Sequence, residues 1–250
     1  MALRLDGASY IQNASAPVTT TPVAMGAWVS PATSGVDQTI WSMSDTGATN
    51  QYYRLFISSV DAWSFTVQAG AGTDVASVSD SSAFINQWTF VLVQAAADDD
   101  LVINLVRYDG NIIGSDASTT AGPPTGVDSM QIGALLTSSG ASSLFTGRVA
   151  EYWIANVDFG VISDTERDAF MYQLAWGGPF SIPQVANNIV EYRSLRKYPT
   201  SLGDDLTEVY WGGGKGIQTW AAVGSPTIAA HPPLPYWFAR PGQYQTNLIV

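Results

Sequence analysis

Through most of the first 157 residues, apolar side chains recur at every second position. Val23, Met25, Ala27 and Val29 alternate with small or polar neighbours, and Tyr53, Leu55 and Ile57 do the same. Successive side chains of an extended chain point to opposite faces, so this rhythm predicts strands with one face turned to a core. Residues 87–93 read as another strand, with Trp88, Phe90 and Leu92 on one face. Residues 101–108 and the run from Ile112 onward flank Asp109-Gly110-Asn111. Asp-Gly supplies the positive backbone dihedrals of a tight turn, so a hairpin is expected there. A further strand is expected over 143–157, with loops at Ala121-Gly122-Pro123-Pro124 and from Thr137 to Ser143.

The rhythm then changes to that of a helix. Ser163 can accept from the first-turn N–H groups, with Glu166 completing a capping box. Phe170, Met171 and Leu174 supply an apolar stripe, and Gly177-Gly178-Pro179 ends the helix. Residues 1–180 are therefore expected to form a sandwich ending in a short helix, and 181–235 further short strands completing or flanking it. Residues 236–250 are expected to form an arm, because prolines nearby oppose regular pairing. Many short strands between Ser, Gly, Asp and Thr loops predict an all-β sandwich or barrel rather than parallel βαβ units.

Composition narrows the function. The 250 residues hold no cysteine, which excludes thiolate catalysis and Cys-ligated zinc. Ten Lys and Arg face 21 Asp and Glu, a formal charge of −11. Nucleic-acid binding is driven by cations displacing phosphate counterions, so no nucleic-acid partner is expected, and none at an anionic membrane. The first residues lack a basic stretch followed by an apolar run, so synthesis in the cytoplasm without a signal peptide is expected.

Candidate chemistry is sparse. Glucanases built on β-sandwiches carry Glu-x-Asp-x-x-Glu on one strand, where alternate residues converge on a cleft. Glu166-x-Asp168-x-x-Met171 lacks the last acid and falls on the predicted helix, and Glu151 and Asp158 are expected to face opposite sides of a strand. No catalytic residue is assigned. Asp98, Asp99 and Asp100 offer oxygen ligands that calcium would take, against the alternative of a solvated turn; no other cofactor is expected. Asp204-Asp205 and Glu208 read the same way. His231 is the only histidine and is read as part of a turn. Trp211-Gly212-Gly213-Gly214-Lys215-Gly216 lacks the spacing of a phosphate loop and reads as a connection.

Aromatics are the remaining signal, with nine Trp, eleven Tyr and nine Phe. Trp28, Trp41, Trp88 and Trp153 lie in alternating strands and are expected in the core. Tyr52, Tyr53 and Trp63 are candidates for stacking on sugar rings, against the alternative of packing across the sandwich. Tyr236, Trp237, Phe238 and Arg240 cannot all turn into one core, and aromatics and Arg are enriched at interface hot spots, so they are candidate partner contacts.

Several segments, read in order, carry a family resemblance: Leu5-Asp6-Gly7-Ala8-Ser9-Tyr10-Ile11, Ala27-Trp28-Val29-Ser30-Pro31, Gly147-Arg148-Val149-Ala150-Glu151-Tyr152, Ile189-Val190-Glu191-Tyr192-Arg193-Ser194-Leu195, Gly224-Ser225-Pro226 and His231-Pro232-Pro233. They resemble the laminin G-like branch of the concanavalin A-like jelly rolls, in the version carried by virion proteins of tailed bacteriophages, over roughly residues 1–235. The resemblance implies an all-β, two-sheet antiparallel jelly-roll sandwich with one short helix and a C-terminal extension. It implies a non-enzymatic virion structural protein that decorates the outer surface of the capsid, or sits on the tail. The implied partners are the major capsid protein or other virion subunits, copies of itself, and cell-surface glycans. The alternative is a carbohydrate-binding, lectin-like module in a tail, fibre or secreted protein; a glycoside hydrolase ranks below both.

Overall fold

A computed structural model describes residues 2–79, 85–96, 100–107, 110, 112–118, 122–159, 164–193 and 220–229. Its strands in chain order are β1 (Ala2–Asp6), β2 (Tyr10–Asn13), β3 (Val23–Pro31), β4 (Gln38–Ser44), β5 (Gln51–Ile57), β6 (Ala62–Ala69), β7 (Gly72–Ser79), β8 (Thr89–Ala95) and β9 (Asp100–Arg107). They continue with β10 (Ile112–Ser118), β11 (Ser129–Ile132), β12 (Leu135–Thr137), β13 (Gly140–Ser142), β14 (Thr146–Ala155), β15 (Ile189–Arg193), β16 (Trp220–Val223) and β17 (Thr227–Ala229). Helix α1 (Asp164–Gly177) and a short helix α2 (Pro183–Ala186) lie between β14 and β15, joined by a 3-10 turn, Pro179–Ser181.

The strands form two antiparallel sheets. Sheet A runs β10-β9-β8-β3-β14-β1-β17, with β15 also paired to β14. Sheet B runs β16-β2-β11-β4-β5-β6-β7. The ten-residue β14 pairs its first half with β1 and its second half with β15, so two short strands lie end to end along it. The expected hairpin is present: β9 and β10 pair from Val106↔Ile112 to Asp100↔Ser118 around Gly110, whose φ of 86° is the positive value the turn requires. Asp109 and Asn111 lie outside the described residues.

Between the sheets lies the sandwich core. Met25, Ala27 and Val29 of β3 meet Trp41 and Met43 of β4, Tyr53 and Leu55 of β5, and Trp63 and Phe65 of β6. A second core lies on the far side of sheet A. Here the opposite face of the same strands, Ala24 and Trp28 of β3, Phe90 and Leu92 of β8, and Ala150 and Trp153 of β14, is covered by Met171, Leu174 and Ala175 of α1 and by Val185 of α2. The helix therefore buries its stripe against a sheet rather than standing at an end of the molecule. Trp28 anchors it: its indole Nε1 donates to the Ala175 carbonyl at 3.0 Å, and its ring tilts against those of Phe90 and Trp176. Gly178, at φ 71°, ends α1 with its N–H bonded to the Leu174 carbonyl, a backbone state that costs glycine nothing. Ser163, the expected capping residue, lies outside the described residues.

Two cores on one sheet explain the composition of its strands. The expected face of Trp88, Phe90 and Leu92 exists, and it is the helix side; Val91 and Val93 face the other sheet. At Gly26 the Trp153 ring lies 2.5 Å from where a Cβ would stand, so only glycine admits the indole. Opposite it, β14 carries a bulge between Ala150 and Trp153, with Glu151 at φ 53°. A bulge inserts one extra residue and re-aims its side chain.

Candidate functional site

Glu151 is where a carboxylate search would look first, and its surroundings give it a structural role. It is 6% exposed and accepts a hydrogen bond from the Tyr192 hydroxyl at 2.7 Å. Glu191 of β15, also buried, accepts from the Trp220 indole at 3.0 Å, and Trp220 meets Tyr152 edge-on. Each carboxylate thus ties a late strand to the sheets. Asp158 lies beyond the end of β14 rather than on a strand shared with Glu151, and it accepts from the Gln94 amide at 3.1 Å. Glu166 and Asp168 sit exposed on α1.

The three sugar-stacking candidates separate. Tyr53 and Trp63 are corrected by the structure: they are 0% and 1% exposed, in the sandwich core, where no saccharide can reach their faces. Burial pushes the Tyr53 phenol far above its usual range, and its hydroxyl has no hydrogen-bond partner among the described residues. Tyr52, one residue from Tyr53, points to the opposite side and lies half-buried on the outer face of sheet B.

The pairing register lays that outer face out in rows. Ser44, Tyr52, Gln68 and Thr73 form one row across β4, β5, β6 and β7. Ser42, Arg54, Thr66 and Val75 form the next, and Phe56, Ser64 and Ser77 the third. Ser64 and Thr66 are buried between taller neighbours, whereas Thr73, Val75 and Ser77 are exposed. A floor of hydroxyls thus runs beside a ridge of Tyr52, Arg54 and Phe56. On the other flank the β12–β13 hairpin folds over β4, and Ser42 and Ser44 donate to the Ala134 and Leu136 carbonyls.

Arg54 stands at the centre of the ridge. Its Nε donates to Thr39 Oγ1 at 2.8 Å, and its guanidinium carbon lies 4.1 Å from the Phe56 ring centroid. Desolvation pulls its pKa below the usual arginine range, opposed by the nearby Tyr52 and Asp37. The alternation that places Tyr53, Leu55 and Ile57 inward also places Tyr52, Arg54 and Phe56 together outward. The alternation carries that signal, but strand period alone does not set Arg54 and Phe56 apart from any other outward-facing pair.

Of the calcium candidates, Asp98 and Asp99 lie outside the described residues, and Asp100 begins β9, paired with Ser118. Among the described residues no three His, Cys, Asp or Glu side chains cluster as metal ligands. Tyr236, Trp237, Phe238 and Arg240, together with His231, the 211–216 glycine run, Asp204, Asp205 and Glu208, also lie outside them.

A laminin G model of the concanavalin A-like lectin/glucanases superfamily matches residues 5–159, and the chain belongs to that superfamily. The sandwich is similar to the CBM40 of the Ruminococcus gnavus IT-sialidase bound to α2,3-sialyllactose, at 12% identity and a TM-score of 0.52, over 68% of this chain and 95% of that one. It is similar to tailspike protein 2 of the Escherichia coli O157:H7 bacteriophage CAB120, at 14% identity and a TM-score of 0.53, over 77% of this chain and 26% of the tailspike. A heptameric SAP-like pentraxin from Limulus polyphemus matches at 10% identity and a TM-score of 0.51, over 67% of this chain and 79% of that one. No curated protein matches the chain. At these identities the likenesses establish a shared lectin-like sandwich fold.

Proposed function

We propose that the chain is a non-enzymatic glycan-recognition domain of a bacteriophage particle, binding saccharide on the outer face of sheet B. The observation that carries this reading is the Tyr52, Arg54 and Phe56 ridge beside the Ser64 and Thr66 floor. Aromatic faces stack on the C–H faces of sugar rings, and hydroxyl and amide side chains such as Gln68 match sugar hydroxyls, the usual composition of a saccharide site. Glu151 and Glu191 are buried on sheet A and each accepts from an aromatic donor, so both serve packing rather than an open cleft. Placement on a phage particle is supported by the order of sequence segments and by the tailspike likeness. Capsid decoration is the more specific form of that placement, with the aromatic stretch at Tyr236, Trp237, Phe238 and Arg240 as its docking arm. Support for the arm is compositional, since aromatics and Arg dominate interface energetics.

A glycan array probed with the purified chain, followed by titration of its best ligands, tests the reading. Saccharide binding that a Tyr52→Ala, Phe56→Ala double variant loses, while its thermal melt stays cooperative, is the expected result. Absence of binding to every saccharide overturns it. Peptides of the chain in purified virions support particle placement, and their absence removes it.

A further inference from the structure

Arg54 is the one cationic residue in the seven strands of sheet B, and the only acid in them, Asp74, opposes Val67 and so points to the other side. The guanidinium Nη2 of Arg54 is enclosed by its neighbours yet donates to no partner among the described residues. Buried donors are nearly always paired, and an unmade bond on a charged group is among the costliest defects a fold can hold. A second arginine of this protein shows the ordinary outcome. Arg148, on sheet A, lies 5.1 Å from the Trp88 ring centroid, much as Arg54 lies over Phe56, but its Nη2 donates to Ser30 Oγ at 2.9 Å. Asp37 is close enough for Arg54 to feel its charge, but its carboxylate accepts the Ser59 N–H at 2.7 Å instead of a guanidinium proton.

The side chain is therefore held by one hydrogen bond, at Nε to Thr39, and by one ring, Phe56. Its Nη2 is uncommitted among the described residues, in the row between Ser42 and Thr66, and a ligand engages it by drawing the guanidinium out of its enclosure. A planar fork with two N–H groups side by side matches a carboxylate in both geometry and charge. A formal charge of −11 on the whole chain weighs against polyanions, whose many charges would be repelled together, and favours a ligand with an isolated negative group.

We propose that Arg54 receives the carboxylate of an acidic saccharide, making this face selective for uronic- or sialic-type sugars over neutral ones. The proposal rests on the reading of this face as a glycan-binding site. Neutral sugars offer the ridge their C–H faces but no acceptor for the fork, and sulfated polymers offer acceptors at a charge density the protein repels.

Two matched pairs of probes, titrated calorimetrically into the full chain, provide the test: methyl galacturonoside, with its single carboxylate, against its methyl ester, and 3′-sialyllactose against lactose. Heparin hexasaccharide completes the set. The acidic member of at least one pair is expected to bind roughly 10- to 100-fold more tightly than its partner, the scale of a charge-assisted hydrogen bond. Arg54→Met, which keeps much of the apolar stem, abolishes that preference; Arg148→Met leaves it intact. Without ligand, Arg54→Met melts no lower than the parent chain, because an incompletely bonded buried charge is removed. A purely structural arginine would instead lower the melting temperature. Equal binding of acidic and neutral partners, or a preference that survives Arg54→Met, overturns the proposal while glycan recognition stands. Binding of heparin alone overturns the carboxylate assignment. Failure of every saccharide, neutral ones included, removes the glycan reading and this proposal with it.

Discussion

The two sheets turn very different outer faces away from their shared core. On sheet A the outer face is apolar, with Trp28, Phe90, Leu92 and Trp153, and the chain covers it with its own helices. On sheet B the outer face at β5–β7 is built of Ser, Thr and Gln around Tyr52, Arg54 and Phe56, and several of its side chains are exposed. Both faces carry an arginine over an aromatic ring, but among the described residues only the one on sheet A has its Nη2 hydrogen-bonded. A sheet whose strands are apolar on both sides is committed to internal packing, whereas strict alternation leaves one side for other work.

The largest expected effect breaks the covered face. Trp28→Ala removes the indole that meets Ala175, Phe90 and Trp176, and is expected to cost about 3–5 kcal/mol in denaturant unfolding. The same truncation on the other face separates stability from function. Tyr52→Ala is expected to change unfolding free energy by no more than about 0.5 kcal/mol, as surface substitutions do, while weakening glycan binding measured by titration. A loss on the scale of Trp28→Ala would show that Tyr52 serves packing and that the two faces differ less than their composition implies.

The smallest effect concerns the connection that carries the chain from sheet A to sheet B. Asp6 accepts from the Ser9 hydroxyl at 2.7 Å and the Ala8 N–H at 3.0 Å, and these bonds hold its carboxyl below the usual range. A depressed carboxylate contributes stability above the unfolded-state pKa of about 4, and that contribution is lost as pH falls through the lower folded-state value. The melting-temperature difference between the parent chain and Asp6→Ala should therefore be present at neutral pH and shrink steadily below about pH 4. A difference independent of pH would assign the effect to the turn's backbone.

Much of this architecture is legible from spacing. The faces of β3 and β8, the β9–β10 hairpin and the helix stop at Gly178 all follow from local rules. What spacing does not reveal is which side of a strand receives which cover. Trp88, Phe90 and Leu92 share a face in any reading, but only three-dimensional packing shows α1 on it. The same limit separated Tyr52 from Tyr53: adjacent residues of one strand must part, and the apolar partners Leu55 and Ile57 decide which goes inward. Arg54 needed more still, because its isolation is a property of seven aligned strands and cannot be read from any one of them.

The pairing of β16 with β2 and β17 with β1 has a consequence for how the protein is made. One edge of each sheet is completed by residues 220–229, although the strands they protect lie within the first 13. At a synthesis rate of about 5–20 residues per second, those edges emerge roughly 10–40 s before their partners. Through that interval two early strands present open backbone to whatever else is unfolded nearby. Crowded synthesis of many copies would therefore trap chains by strand exchange, and slower initiation or a holding chaperone would raise the soluble yield more than any change to the finished core.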